Sequence, residues 1–140
     1  MMRRWMLPAL AATAVQAAEP ASAGALQECY QRTQSRLEVA PCLNAQKKVA
    51  TDAMLERFLA VEQSLTDLEK VAGRGGKVAQ LKQSQRDFER YLQSHCQVVL
   101  RAFDSGTGAG QAQLACEVDL LRQRAALLGL LAPEEPRAKE

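Results

Sequence analysis

Between Leu43 and Ala72 the apolar positions Leu43, Ala50, Met54, Phe58, Val61, Leu65, Leu68 and Ala72 recur at steps of three, four or seven. That spacing gathers them on one stripe of a helix facing a core. A second stripe runs through Val78, Leu81, Phe88, Leu92, Cys96, Val99 and Phe103, and a third through Leu114, Val118, Leu121, Ala125 and Leu128. No comparable stretch alternates with the period of two that a half-buried strand requires. The pattern predicts an all-α fold: three long helices in an antiparallel bundle, preceded by a short N-terminal segment. Two glycine-dense segments, Gly73-Arg74-Gly75-Gly76 and Ser105-Gly106-Thr107-Gly108-Ala109-Gly110, separate the stripes. Both are expected to be loops, because glycine tolerates positive φ and stops helices. The second is expected to span from a helix end near Asp104 to a helix start near Gln111. Loops this short make neighbouring helices antiparallel.

The start of the first long helix is marked by Ser35-Arg36-Leu37-Glu38, a capping-box pattern in which Ser35 and Glu38 satisfy each other's backbone amides. Pro41, six residues beyond Ser35, removes one i→i−4 bond, so the helix either kinks there or restarts with Pro41 as its first residue. Pro133 and Pro136, with Glu134, Glu135 and Lys139, predict a disordered tail over residues 133–140.

The N-terminus changes the reading of compartment and charge. Arg3 and Arg4 precede an apolar run from Trp5 to Ala18, about 14 residues, followed by Ala-rich candidate cleavage sites. The run is shorter than the roughly 20 residues a membrane-spanning helix needs. Residues 1–17 are expected to be a signal peptide cleaved after Ala17, with Ala23 as the second choice, leaving a helical domain over 18–132. The destination is periplasmic or secreted in a bacterium, and the mature chain has no membrane span. Arg3 and Arg4 leave with the leader, so the 18 Lys and Arg fall to 16 and match the 16 Asp and Glu. A neutral surface gives no electrostatic reason to expect nucleic acid or anionic lipid as partner.

Cys29, Cys42, Cys96 and Cys116 all lie in the mature part, and an even count in a small exported chain implies disulfides. Their spacing lacks the short C-x2-C knuckles of zinc sites, so no metal and no cofactor are expected. Levels along the helices favour Cys29–Cys42 with Cys96–Cys116. All four cysteines fall at one end of the bundle, which leaves Cys29–Cys96 with Cys42–Cys116 open. His95-Cys96 invites a catalytic-thiol reading, yet adjacent helical residues point about 100° apart and cannot form a hydrogen-bonded nucleophile and base. Gly76-Lys77 is followed by Val78 rather than Ser or Thr and follows no predicted strand, so a phosphate loop is not expected. No constellation of nucleophile, base and oxyanion donor is present in the sequence, which reads as a non-enzyme.

Three segments resemble those of the LprI-type lysozyme-inhibitor-like domains of exported bacterial proteins. Leu81-Lys82-Gln83-Ser84-Gln85-Arg86-Asp87-Phe88-Glu89-Arg90-Tyr91, followed by Cys96, is similar to that family's L-K-x-[AS]-Q-R-x-[WF]-x-x-[FY] run and its cysteine. Ser35 to Cys42, with Glu38, resembles its T-x-x-E-M-x-x-C segment, and Cys116 with Arg124 resembles its closing C-x7-R. The likeness covers roughly residues 29–127. In the motif, Glu38, Leu81, Gln85, Arg86, Phe88, Tyr91 and Arg124 are expected to be structural. Gln85 should bond a neighbouring helix through its amide and Arg86 should reach outward to an acidic side chain. The sequence departs from the family pattern at Leu92, Gln93 and Leu121, and apolar packing of Leu92 and Leu121 is expected to replace an interhelical polar network.

The resemblance implies a protein that binds and blocks a lysozyme-type peptidoglycan hydrolase. A neutral inhibitor lacks electrostatic steering toward a cationic enzyme, so blocking would depend on a loop entering the glycan cleft. Asp104, Ser105, Gly106, Thr107 and Gly108 are the candidate loop, at the end stiffened by the cysteines. A competing reading is a scaffolding module of the envelope that binds another envelope protein through Leu120, Leu127, Leu130 and Leu131, which lie off the main stripe of the last helix.

Overall fold

The computed structural model describes residues 24–103 and 106–132. The expected leader (1–17) and tail (133–140) lie outside the described residues. Among the described residues four helices are found rather than three: α1 (Ala25–Arg32), α2 (Arg36–Ala72), α3 (Lys77–Ala102) and α4 (Thr107–Gly129). The additional helix is the N-terminal segment. Its eight residues place Ala25 and Cys29 on one side, both fully buried, with Leu26 packed beside them.

α2 begins at a capping box in which the Glu38 carboxylate accepts from the backbone N–H groups of Gln34 (3.0 Å) and Ser35 (3.4 Å). Pro41 lies inside this helix, which runs on unbroken for 37 residues. So close to the N-terminus the missing N–H removes a single bond, to Leu37, and packing of Val39 and Leu43 on either side outweighs that loss. The helix ends at Gly73 in the left-handed region (φ 62°), and Gly76 (φ 106°) precedes α3. There the Glu69 carboxylate accepts from the free amides of Lys77 and of Val78 (3.0 Å), doing the work of a cap that Gly76 has no side chain to supply.

The second glycine segment departs from expectation. α4 starts at Thr107, four residues before Gln111, so Gly108 and Gly110 form part of its first turns. Gly106 takes an extended conformation (φ −88°, ψ 159°) and caps the helix. Each glycine in a helix costs up to about 1 kcal/mol, and burial of Ala109 and Ala112 against the rest of the domain offsets it.

Side-chain pairs give the register. Glu69 meets the start of α3, Glu62 pairs with Lys82 (2.8 Å), and Met54 meets Gln85, so α2 and α3 run in opposite directions. Cys96 joins Cys116 and Gln85 meets Arg124, so α3 and α4 are also antiparallel. α4 lies alongside α2, its main packing partner, through Lys47–Glu117 (2.6 Å) and the buried residues Leu43, Val61, Val118, Leu121 and Leu128. Leu121 is buried and Leu92 packs against the core, where the family pattern carries polar groups.

Candidate functional site

The end of the bundle that carries α1 is cross-linked twice. Cys29–Cys42 ties α1 to α2 (Cα–Cα 5.8 Å) and Cys96–Cys116 ties α3 to α4 (5.7 Å). This is the local pairing. α1 is also held from α4: the Ala25 N–H donates to Asp119 Oδ1 (3.0 Å), and a Cβ at Gly24 would stand 3.0 Å from Asp119 Oδ2. The backbone at Gly24 therefore approaches Asp119 more closely than a side chain comfortably allows. The Glu28 carboxylate accepts both Arg122 guanidinium nitrogens (2.9 and 3.0 Å) and the Gln46 amide (3.2 Å). The Arg122 hydrogen bonds hold the Glu28 carboxyl below its ordinary range.

These braces frame an open cleft of about 550 Å³ between the starts of α2 and α4, lined by Tyr30, Arg36, Leu37, Gly108, Gln111 and Leu114 among others. Tyr30 Oη donates to Gln111 Oε1 (2.9 Å), and Gln111 Nε2 donates to the Arg36 carbonyl (3.2 Å), so one glutamine joins α1, α2 and α4 across the cleft. Leu37 on the rim is 88% exposed, although it is a large aliphatic side chain on a rigid helix. Its neighbour Arg36 is exposed and makes no ion pair among the described residues.

The expected binding loop is only partly present here. Asp104 and Ser105 lie outside the described residues, Gly106 is the α4 cap, and Thr107 and Gly108 belong to the helix. Gly108 nonetheless lines the cleft. The cleft's other principal residues, Tyr30, Arg36, Leu37 and Gln111, were not expected from the sequence. The available signal was Leu37, an apolar residue that falls off the stripe continued back from Leu43.

The motif residues are arranged elsewhere. Glu38 serves the α2 cap. Leu81 is buried, and Gln85, 7% exposed, is the buried polar residue among the described positions. Gln85 Nε2 donates to Glu89 Oε1 (3.1 Å) and to Met54 Sδ (3.4 Å), while its Oε1 accepts from Arg124 Nε (3.2 Å). Arg124 also donates to Ser84 Oγ (3.1 Å) and stacks over the Phe88 ring at 5.5 Å. Burial lowers the pKa of its guanidinium. This network lies mid-bundle between three helices, away from the cleft. Among the described residues Arg86 meets no acidic partner; it donates to Gln83 Oε1 (2.6 Å), the polar group one turn before it. Tyr91 is exposed and stacks on His95 (centroids 5.2 Å apart).

At the opposite end Leu127, Leu130 and Leu131 are exposed, while Leu120 is half-buried. α1 packs near Asp119 and Arg122 and does not cover them. A second open cleft, of about 600 Å³, is lined there by Leu65, Lys77, Leu81, Ser84 and Leu131 among others. Among the described residues no group of three or more His, Cys, Asp or Glu side chains could hold a metal ion, and no helix is long and apolar enough to cross a membrane.

Fold and site together define a class: a small helical domain, stapled by disulfides suited to an oxidising compartment, with a braced end that displays apolar and cationic side chains. The family model described as lysozyme inhibitor LprI matches residues 25–128, from the first residue of α1 to the last turn of α4, and the chain belongs to that family. It is a family of inhibitors rather than of enzymes. Comparison with curated proteins and with solved structures gave no match.

Proposed function

We propose that this protein is an exported inhibitor that binds a lysozyme-type peptidoglycan hydrolase and blocks its access to the cell wall, without catalytic activity of its own. The observation that carries this reading is the family match across all four helices. The two disulfides support it, since they persist in the periplasm or outside the cell. So does the leader-like pattern of residues 1–17, whose removal would start the mature chain at Ala18. The test is inhibition of purified lysozymes of several types by the disulfide-bonded protein, with intact-mass measurement of a periplasmic extract to fix its first residue. Loss of cell-wall lysis at stoichiometric inhibitor is the expected result; undiminished lysis by every type would reject it.

A second reading, a scaffolding module that binds another envelope protein, is favoured by the exposed Leu127, Leu130 and Leu131. It requires that face to be covered in cell extracts, which crosslinking from that face would detect.

A further inference from the structure

The geometry points to the α2 N-terminus, Arg36 with Leu37, as the element that enters the hydrolase's glycan cleft, in place of the Asp104–Gly108 segment. This assignment rests on the inhibitor reading above. Enzymes that cleave glycosidic bonds commonly hold a pair of carboxyl groups on either side of the scissile bond, one or both of them charged. A side chain that blocks such a cleft gains most if it brings a cation to the carboxylates and an apolar group to the sugar-binding walls beside them. Arg36 is an exposed guanidinium with no ion-pair partner among the described residues. Its planar fork suits bidentate contact with a carboxylate. Leu37 stands beside it almost fully in solvent.

Three acids near this end are engaged among the described residues. Glu28 is bonded to Arg122, Glu38 to the α2 cap, and Glu117 to Lys47. Arg36 is therefore a guanidinium offered to a partner without an ion-pair partner among the described residues, even though the mature chain is formally neutral. This removes the objection that a neutral inhibitor lacks electrostatic complementarity: the relevant charge is that of the inserted tip, and its target is the catalytic carboxylate pair rather than the enzyme's overall cationic surface. The tip is also preorganised. The capping box fixes the first turn of α2, Gln111 holds the Arg36 carbonyl, and Cys29–Cys42 anchors the helix one turn further on. Little backbone freedom is left to lose on binding.

The experiment compares the disulfide-bonded wild type with Arg36→Glu, Leu37→Asp and Leu130→Asp against a hydrolase that the wild type inhibits. Acidic residues are favourable in the first turn of a helix, so the first two variants keep α2 intact, and unchanged melting curves verify this. Arg36→Glu and Leu37→Asp are each expected to raise the half-inhibitory concentration by about tenfold or more, and Leu130→Asp to leave it unchanged. A hydrolase whose catalytic glutamate is replaced by glutamine should bind the wild type more weakly, by calorimetry, and bind Arg36→Glu no more weakly than the native enzyme does. If the wild type inhibits and both tip variants inhibit equally well, this surface is wrong and the inhibitor reading stands. Loss of inhibition in Leu130→Asp alone would move the interface to the far end and likewise overturn the assignment. A wild type that inhibits no hydrolase overturns both.

Discussion

The two ends of this bundle expose comparable apolar side chains on very different foundations. At the α1 end, Leu37 projects from a helix fixed by a capping box, a disulfide and a glutamine that spans three helices. At the other end Val71, Leu130 and Leu131 project from helix termini that carry no covalent tie among the described residues. There the α2–α3 turn is held chiefly by the Glu69 carboxylate on two backbone amides. Exposed apolar area alone does not distinguish the ends. What differs is the entropy a partner would have to remove, which is small where the frame is cross-linked and larger where helix ends fray.

The largest expected effect comes from removing the cross-link between the last two helices. The double substitution Cys96→Ala with Cys116→Ala opens a loop with a sequence separation of 20 and should lower unfolding stability by about 3 kcal/mol in the chain-entropy estimate. Denaturant unfolding measures the loss, and amide hydrogen exchange should show the difference in protection between the two ends shrinking. If the α1 end stays as well protected as before, its rigidity comes from packing and the contrast must be restated.

An intermediate effect is expected at the middle of the bundle, where the contrast should vanish. Gln85→Ala leaves Arg124 half-buried with only Ser84 and the Phe88 ring as partners, at a cost of about 1 to 3 kcal/mol. The melting temperature should fall while inhibition of a hydrolase persists. An unchanged melting temperature with lost binding would make the network part of the interface instead.

The smallest effect tests the electrostatic brace at the α1 end. Arg122 holds the Glu28 carboxyl below its ordinary value of 4.5, so the unfolded chain takes up this proton more readily than the folded one. The contribution is complete at neutral pH, declines as the pH falls through about 4.5, and is gone below the lowered folded value. Arg122 is 40% exposed, which screens the pair and keeps its contribution under about 1 kcal/mol. Glu28→Gln should flatten the acid side of the stability profile by that amount; an identical profile would show that the pair contributes nothing to holding α1.

Much of this arrangement was readable from residue order. The three stripes place α2, α3 and α4, although their ends at Leu68, Ala72 and Phe103 are exposed rather than core-facing, and Gly73 and Gly76 take the positive φ that their composition predicts. The second glycine segment misled for a physical reason. Glycine permits a loop without requiring one, and the tertiary placement of Ala109 and Ala112 drew Gly108 and Gly110 into helix. α1 was hidden because eight residues are too few to show a period. The cleft was hidden further still. Gln111 lies 81 and 75 residues from Tyr30 and Arg36 and meets them through two hydrogen bonds that no local pattern encodes. The motif around Gln85 is visible in the sequence, yet it marks where the helices lock together.

Cys29–Cys42 has a consequence for when the protein becomes competent. α1 has eight residues, below the length at which a helix holds in water by itself, and it contributes Tyr30 to the cleft. Without the bond to Cys42, its remaining anchors are the packing of Ala25, Leu26 and Cys29 and the polar contacts to Asp119, Arg122, Gln46 and Gln111. A chain still in a reducing compartment would therefore carry α2, α3 and α4 but an incompletely assembled cleft. On the proposed function, oxidation would act as a maturation step that completes the cleft only in an oxidising compartment.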